Sequence, residues 1–301
     1  MNKLPLVSII IVTHNRLDKL KILLESLVSD NYPKKEIIVV DNASTDNTPD
    51  IIKKYCEKFP YIFYVKNDKN YFPAKGRNIG AKYAKGKYLF FIDDDGAVDK
   101  DTINKLVEVL ESDEKVGLVA PVILYWNSDI IWCAGGYNDL FTSLTKYLHR
   151  NKKLSEVNLP KQPYEIDHMP HTFMVRKECF DKLGGFYEKY KIMYEESELA
   201  IRIKKLGYKV LAVPSAIAYH NIPIETDNSR NLGLHRWDRV YLLARNRVIF
   251  MKRNAPKTHY IIFLLTFNLV ITMYYLYVLL KLGKTEFIGA YLKGVLEGMV
   301  E

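Results

Sequence analysis

Over its first 120 residues the chain alternates short runs of β-branched and apolar residues with segments of helical periodicity. Few arrangements bury that pattern except a mainly parallel sheet wrapped by helices, so the fold class read from it is α/β. Strands are expected at 7–12, 36–40, 62–65, 88–92 and 116–120, and helices at 17–29, 48–58, 74–84 and 100–110. Several strands are apolar at successive positions, as a sheet covered on both faces requires.

The strand ends are polar. The first runs into Thr13-His14-Asn15-Arg16, the second into Asp41-Asn42-Ala43-Ser44-Thr45-Asp46, and the fourth into Asp93-Asp94-Asp95. In an open α/β sheet ligands bind beyond the C-terminal strand ends, so these clusters are expected to converge on one crevice. Neither GxGxxG after the first strand nor GxxxxGK[ST] anywhere is present, which removes the common dinucleotide and P-loop phosphate cradles.

Three consecutive aspartates repel one another unless a cation or hydrogen-bond donors offset the charge. A divalent ion, Mg²⁺ or Mn²⁺, bridging to a nucleotide diphosphate is the natural partner. Asp41 is placed to accept from a base or ribose, with Thr13, Asn15, Asn42, Asp93 and Asp94 as further donor contacts. Arg77 and Asn78 line a helix on the same side, where they are expected to meet the phosphate or nucleobase of the donor. Glu195, Glu196 and Glu198 open a later helix; the helix dipole favours acids there, but three in four residues exceed what capping needs. One of them directed into the crevice would be a general base. His220, ordinary by itself, becomes a candidate metal ligand beside the aspartates.

Residues 121–165 carry little periodicity, and 150–165, with Pro160 and Pro163, is expected to be an irregular loop. Pattern returns at 171–176, at a helix 195–206 stopped by Gly207, and at a strand 209–213. One domain over 1–255 is expected, with a nucleotide-binding half (1–120) and an acceptor half (121–255). The stretch 259–280 has no formally charged residue and is long enough to cross a bilayer as a helix. A buried helix of a soluble domain is the competing reading, since Thr266 and Asn268 dilute the run. Beyond it, 281–301 reads as an amphipathic tail lying at the membrane surface.

Basic residues crowd the N-terminal flank of that stretch: Arg236, Arg239, Arg245, Arg247, Lys252, Arg253 and Lys257. The positive-inside tendency puts the preceding domain on the cytoplasmic side of a cell membrane. The net charge of +9 is concentrated there rather than interleaved with stacking aromatics, which argues against nucleic acid as partner. The apolar run near the N-terminus ends in His-Asn-Arg, unlike a signal peptide. Three dispersed cysteines, with no CxxC pair, suit a reducing compartment and no zinc cluster.

Taken in order, Val7-Ser8-Ile9-Ile10-Ile11-Val12-Thr13-His14-Asn15-Arg16, Val40-Asp41-Asn42-Ala43-Ser44-Thr45-Asp46, Phe91-Ile92-Asp93-Asp94-Asp95, Gly184-Gly185-Phe186 and Glu195-Glu196-Ser197-Glu198-Leu199-Ala200-Ile201-Arg202 carry a resemblance. The chain resembles the family 2 inverting glycosyltransferases of the GT-A fold, most of all their rhamnosyltransferase-like branch, over about residues 5–255. The resemblance implies that Asp41 binds the base, that Asp93-Asp94-Asp95 is the DxD motif with Asp95 nearest the metal, that Glu196 fills the base position and that His220 assists the metal. Two departures stand out: the base position reads Glu195-Glu196 where the family has acid-Asp, and Tyr187 follows Gly-Gly-Phe in place of Asp. The expected activity is transfer of a sugar from a nucleotide-sugar donor to a hydroxyl of a lipid-linked or cell-envelope glycan acceptor. A polyprenyl-phosphate glycosyl synthase and a membrane-tethered binding protein on a transferase scaffold are the alternatives. Processive synthesis is disfavoured, because Gly233-Leu234-His235-Arg236-Trp237 lacks the Gln of a QxxRW motif.

Overall fold

A computed structural model describes residues 4–224 and 234–301; Gly233, in the segment compared with QxxRW, lies outside them. The first half builds as its pattern dictates. Strands β1 (Val7–Thr13), β2 (Lys35–Asp41), β3 (Ile62–Lys66) and β4 (Tyr88–Ile92) alternate with helices α1 (Leu17–Ser29), α2 (Thr48–Lys58) and α3 (Phe72–Tyr83), and β1 pairs in parallel with both β2 and β4. All seven residues of β2 except Lys35 are buried, which explains its unbroken apolar run.

The sheet as a whole is mixed. A short strand β5 (Gly96–Val98) precedes α4 (Thr102–Ser112) and β6 (Val116–Tyr125). Further on, β11 (Thr172–Arg176) inserts between β4 and β6 and runs antiparallel to both. The strand expected at 209–213 is longer: β12 (Lys209–His220) pairs with β6 across a register shift between Val213 and Ile217. The expected loop holds a 3-10 turn at Leu154–Glu156 and an edge strand β10 (Tyr164–Glu165), while β7 (Ile131–Cys133) pairs with β6 and β8 (Gly136–Asn138) forms a ribbon with β9 (Thr145–Tyr147). Two apolar cores cover the sheet, one centred on Ile9, Leu24, Phe90 and Leu106, the other on Phe91, Phe173, Phe186 and Leu199.

Helix α5 (Lys177–Lys182) is followed by α6 (Glu195–Lys205), and the C-terminal region adds α7 (Trp237–Asn254), α8 (Lys257–Lys281, with a π-turn at Phe263–Phe267) and α9 (Ile288–Val300). Phe263 packs among Val248, Phe250 and Met251 towards the end of α7, whereas Leu279 shares a cluster with Val240 and Ala244 in its first half and with Leu234 just ahead of it. Helix α8 therefore runs back along α7. The tail does not lie apart: Gly294 and Gly298 of α9 sit on the carbonyls of Tyr241 and Arg245, where a Cβ at Gly298 would come within 2.6 Å of the Arg245 oxygen. Only glycine permits so close a helix crossing.

Candidate active site

The strand ends do meet. Thr13 Oγ1, at the end of β1, donates to Asp94 Oδ2 at 2.8 Å. Arg16 spans the next two carboxylates, donating to Asp94 Oδ1 at 2.8 Å and Asp95 Oδ2 at 2.7 Å. Pairing of β5 with the end of β12 sets His220 opposite Gly96, immediately after Asp95. There His220 Nε2 lies 3.4 Å and His171 Nε2 3.6 Å from Asp95 Oδ1, with the two rings 4.2 Å apart. Gly96 is required for this approach, since a Cβ there would come within 2.8 Å of the His171 ring.

Charge in the cluster is uneven. Burial pushes the Asp94 carboxyl up to about 7 against the pull of Arg16, with repulsion from Asp95 adding to it. Burial acts on Asp95 in the same sense, but the two imidazoles beside it hold it well below the usual carboxylate range. Burial, reinforced by the neighbouring His171, lowers His220 to about 4. One carboxylate and two imidazoles, each with a ligand atom within 4.8 Å of the others, form a donor set that suits a divalent transition ion. Beyond its 3.6 Å approach to Asp95, His171 Nε2 has no hydrogen-bond partner among the described residues, and neither has the buried His220 Nδ1, which fits a group that the protein itself does not supply.

Next to this cluster stands a second. Arg77, from α3, is buried and donates to Asp93 Oδ1 at 2.5 Å, Glu195 Oε1 at 3.1 Å and Glu196 Oε1 at 2.9 Å. The backbone N–H of His171 also donates to Glu196 Oε1, at 3.0 Å, so this carboxylate touches the metal-type cluster. The three glutamates differ in access: Glu196 is 14% exposed, against 2% for Glu195 and 1% for Glu198. Glu198 is tied to Arg202 and Arg253. Glu195 is packed behind Arg77, where burial and the adjacent Glu196 raise its pKa to about 8. Burial likewise raises Glu196, opposed by Arg77.

Other expected donor contacts hold loops together. Asp41 is fully buried, accepting from Ser44 N–H at 2.8 Å and the Tyr64 hydroxyl at 2.8 Å. Asn42 accepts from Asn67 Nδ2 at 2.8 Å and donates to Asn70 and the Phe72 carbonyl. Asn15, at φ 52°, accepts from Thr45 N–H at 2.7 Å and so joins the loops after β1 and β2. Asn78 bonds to both the amide and the carbonyl of Phe186.

Sequence reasoning missed three participants. His171 opens the patterned stretch 171–176 and carries no other mark in the sequence; its place directly before an apolar run that pairs with the aspartate strand is the signal that points to it. Arg16 stands in the sequence only as the last residue of a polar run. Arg239 belongs to the basic flank in the sequence, yet it stands near enough to Asp93 and Glu195 to feel their charges, and burial lowers its pKa.

With this geometry in view, the relatives are informative. The model of Glycosyl transferase family 2 matches residues 8–184, which include all of β1 but Val7, the aspartates and β11. A probable glycosyltransferase of Bacillus subtilis, YdaM, is 29% identical over 272 residues, 83% of this chain; the chain spans about three fifths (61%) of that relative. The Escherichia coli UDP-Glc:alpha-D-GlcNAc-diphosphoundecaprenol beta-1,3-glucosyltransferase WfaP is 37% identical over 111 residues, 37% of this chain and 43% of WfaP. Among solved structures, the mannosyltransferase PcManGT of Pyrobaculum calidifontis, in complex with GDP-Man and Mn2+, superposes over 99% of this chain and 88% of its own with TM-score 0.62 at 18% identity. That likeness shows a shared GT-A architecture. The family match covers more than half of the chain, and the protein belongs to glycosyl transferase family 2.

Proposed function

We propose that the protein is an inverting, metal-dependent glycosyltransferase that moves a sugar from a nucleotide-sugar donor to a hydroxyl of a lipid-linked cell-envelope glycan. The observation that carries this reading is the contact between the two clusters: the His171 amide holds Glu196, while its imidazole faces Asp95. A base and a diphosphate site are thereby fixed relative to each other, as single displacement at one carbon requires.

In this mechanism the Glu196 carboxylate takes the proton of the acceptor hydroxyl as its oxygen bonds to the anomeric carbon. The bond to the nucleoside diphosphate breaks on the opposite face, and the configuration inverts. Burial raises the basicity of Glu196, and Arg77 opposes that shift and aims the carboxylate. Asp95, His171 and His220 would hold the ion, whose chemistry is to neutralise the charge of the departing diphosphate. Two imidazoles favour Mn²⁺ over Mg²⁺, which prefers all-oxygen ligands. Arg16, reaching both Asp94 and Asp95, stands where it can turn to a donor phosphate. Support for the chemistry comes from the names of relatives: PcManGT was solved with GDP-Man and Mn2+, and WfaP acts on a diphosphoundecaprenol-linked sugar. The exposed apolar side of α8 supports association with a membrane, and the basic residues before it favour the anionic cytoplasmic leaflet, where a lipid-linked acceptor is available.

The test is nucleotide release from a panel of UDP-, GDP- and dTDP-sugars with Mn²⁺ and diphosphopolyprenol-linked saccharides. The dTDP arm addresses the rhamnosyltransferase-like branch, and a bare polyprenyl phosphate addresses the synthase alternative. One donor should react only with metal and with a saccharide acceptor; binding of none of these donors contradicts the proposal.

A further inference from the structure

We infer that α8 lies in the plane of the membrane and does not cross it, so that the enzyme is monotopic. This rests on the reading of α8 as the membrane-associating element and deepens it. The outward side of α8 presents Ile261, Ile262, Leu265, Leu269, Val270, Met273, Tyr274, Tyr277 and Leu280, all exposed. From Ile261 to Leu280 this stripe is about 28 Å long at 1.5 Å per residue. That length would suit either orientation. What decides between them is the opposite side.

Both ends of α8 are clasped by the same helix. Phe263 shares a buried cluster with Val248, Phe250 and Met251 of α7, Leu279 shares one with Val240 and Ala244 of α7 and Tyr291 of α9, the Arg247 guanidinium lies 4.8 Å from the centre of the Tyr275 ring, and Lys284 donates to the carbonyl of Leu234, just ahead of α7, at 2.8 Å. The chain then returns: Tyr291 of α9 accepts from Arg247 at 2.8 Å, and Gly294 and Gly298 seat α9 on α7. If α8 spanned the bilayer, α7 would have to enter the hydrocarbon beside it. Helix α7 carries Asp238, Arg239, Arg245, Arg247, Lys252 and Arg253, and its Asn246 is bonded to the loop that leads into α6. An in-plane α8 leaves these groups in water or inside the protein. Charge agrees: Lys257 precedes the stripe and Lys281 and Lys284 follow it, which suits anionic head groups on one side at both ends. The occupant of the exposed face is thus the interfacial zone of an anionic bilayer.

The test uses the full chain, in a Cys56→Ser background, with Lys257→Cys or Lys281→Cys, both exposed positions at opposite ends of α8. A membrane-impermeant maleimide is applied to intact spheroplasts and to inside-out vesicles. The inference expects both variants in the membrane fraction, both labelled in inside-out vesicles and neither in spheroplasts. Labelling of Lys281→Cys from the outside alone would establish a span and overturn the inference while leaving membrane association intact. Recovery of both variants as soluble protein would overturn the membrane reading itself. A companion variant, Leu269→Lys with Met273→Lys, should lower flotation with phosphatidylglycerol vesicles at least tenfold while nucleotide release with a water-soluble acceptor is unchanged. If that variant instead converts a dimer to a monomer and flotation is unaffected, the face covers a second copy and the inference fails.

Discussion

Nη2 of Arg77 donates to Glu196 Oε1 at 2.9 Å, and the same guanidinium holds Glu195 and Asp93. One buried cation thus offsets three acids, one just beyond the end of β4 and two at the start of α6. Arg77→Met should destabilise the protein by about 3–5 kcal/mol in urea unfolding, the usual result of stranding buried charges. A loss below 1 kcal/mol would mean that the acids simply take up protons.

Asp95→Asn should abolish Mn²⁺-stimulated turnover without unfolding the chain. His171→Ala should raise the Mn²⁺ concentration for half-maximal rate by about tenfold or more. Full activity in excess chelator contradicts both expectations.

The strand ends that form the candidate site are legible in the sequence. Strands β1, β2 and β4 declare themselves by uninterrupted apolar runs, and their polar ends mark the crevice. The rest depends on long-range pairing. Strands β7 to β10 have two or three residues each and are stabilised by partners distant in the chain, so no local period announces them. His171 is positioned by β11 slipping antiparallel between β4 and β6. The register of the glutamates was equally invisible, because Arg253 of α7, which ties down Glu198, is 55 residues away. The docking of α9 was hidden by its being apolar on two sides, with Leu292 and Leu296 exposed and Tyr291 and Val295 buried.

Asn246 sits in α7 and is fully buried, yet it shapes the entry to α6. Its Nδ2 donates to the carbonyls of Tyr190 at 2.8 Å, Ile192 at 2.9 Å and Met193 at 3.2 Å, beside three residues of positive φ, Lys191, Met193 and Tyr194. Asn246→Ala should reduce stability by about 1–3 kcal/mol. It should also lower kcat by about tenfold to a hundredfold with little change in donor affinity, as misplacement of Glu196 would. Equal falls in donor affinity and kcat would indicate general damage.

His168 is buried with Nδ1 2.7 Å from Ser197 Oγ, and burial lowers its pKa to about 3. The folded state therefore stays neutral there while an unfolded histidine takes a proton below about pH 6.5. The unfolded state binds the extra proton, so this group weakens the fold as pH falls from about 6.5 towards 3. Between pH 7 and pH 5 the wild type should lose about 2 kcal/mol more than His168→Asn in urea unfolding. Parallel losses in the two proteins would show that His168 protonates without consequence.

The account stands most directly on turnover of Glu196→Gln against the wild type, with the reactive donor, Mn²⁺ and a saccharide acceptor. The amide keeps the shape and can still face Arg77 and the His171 amide, but it cannot take a proton. Donor affinity should remain within a few-fold while kcat falls by about 10²–10⁴, the size of a general-base contribution. Undiminished kcat in Glu196→Gln, or the same fall in Glu195→Gln alone, would contradict the assignment of the base.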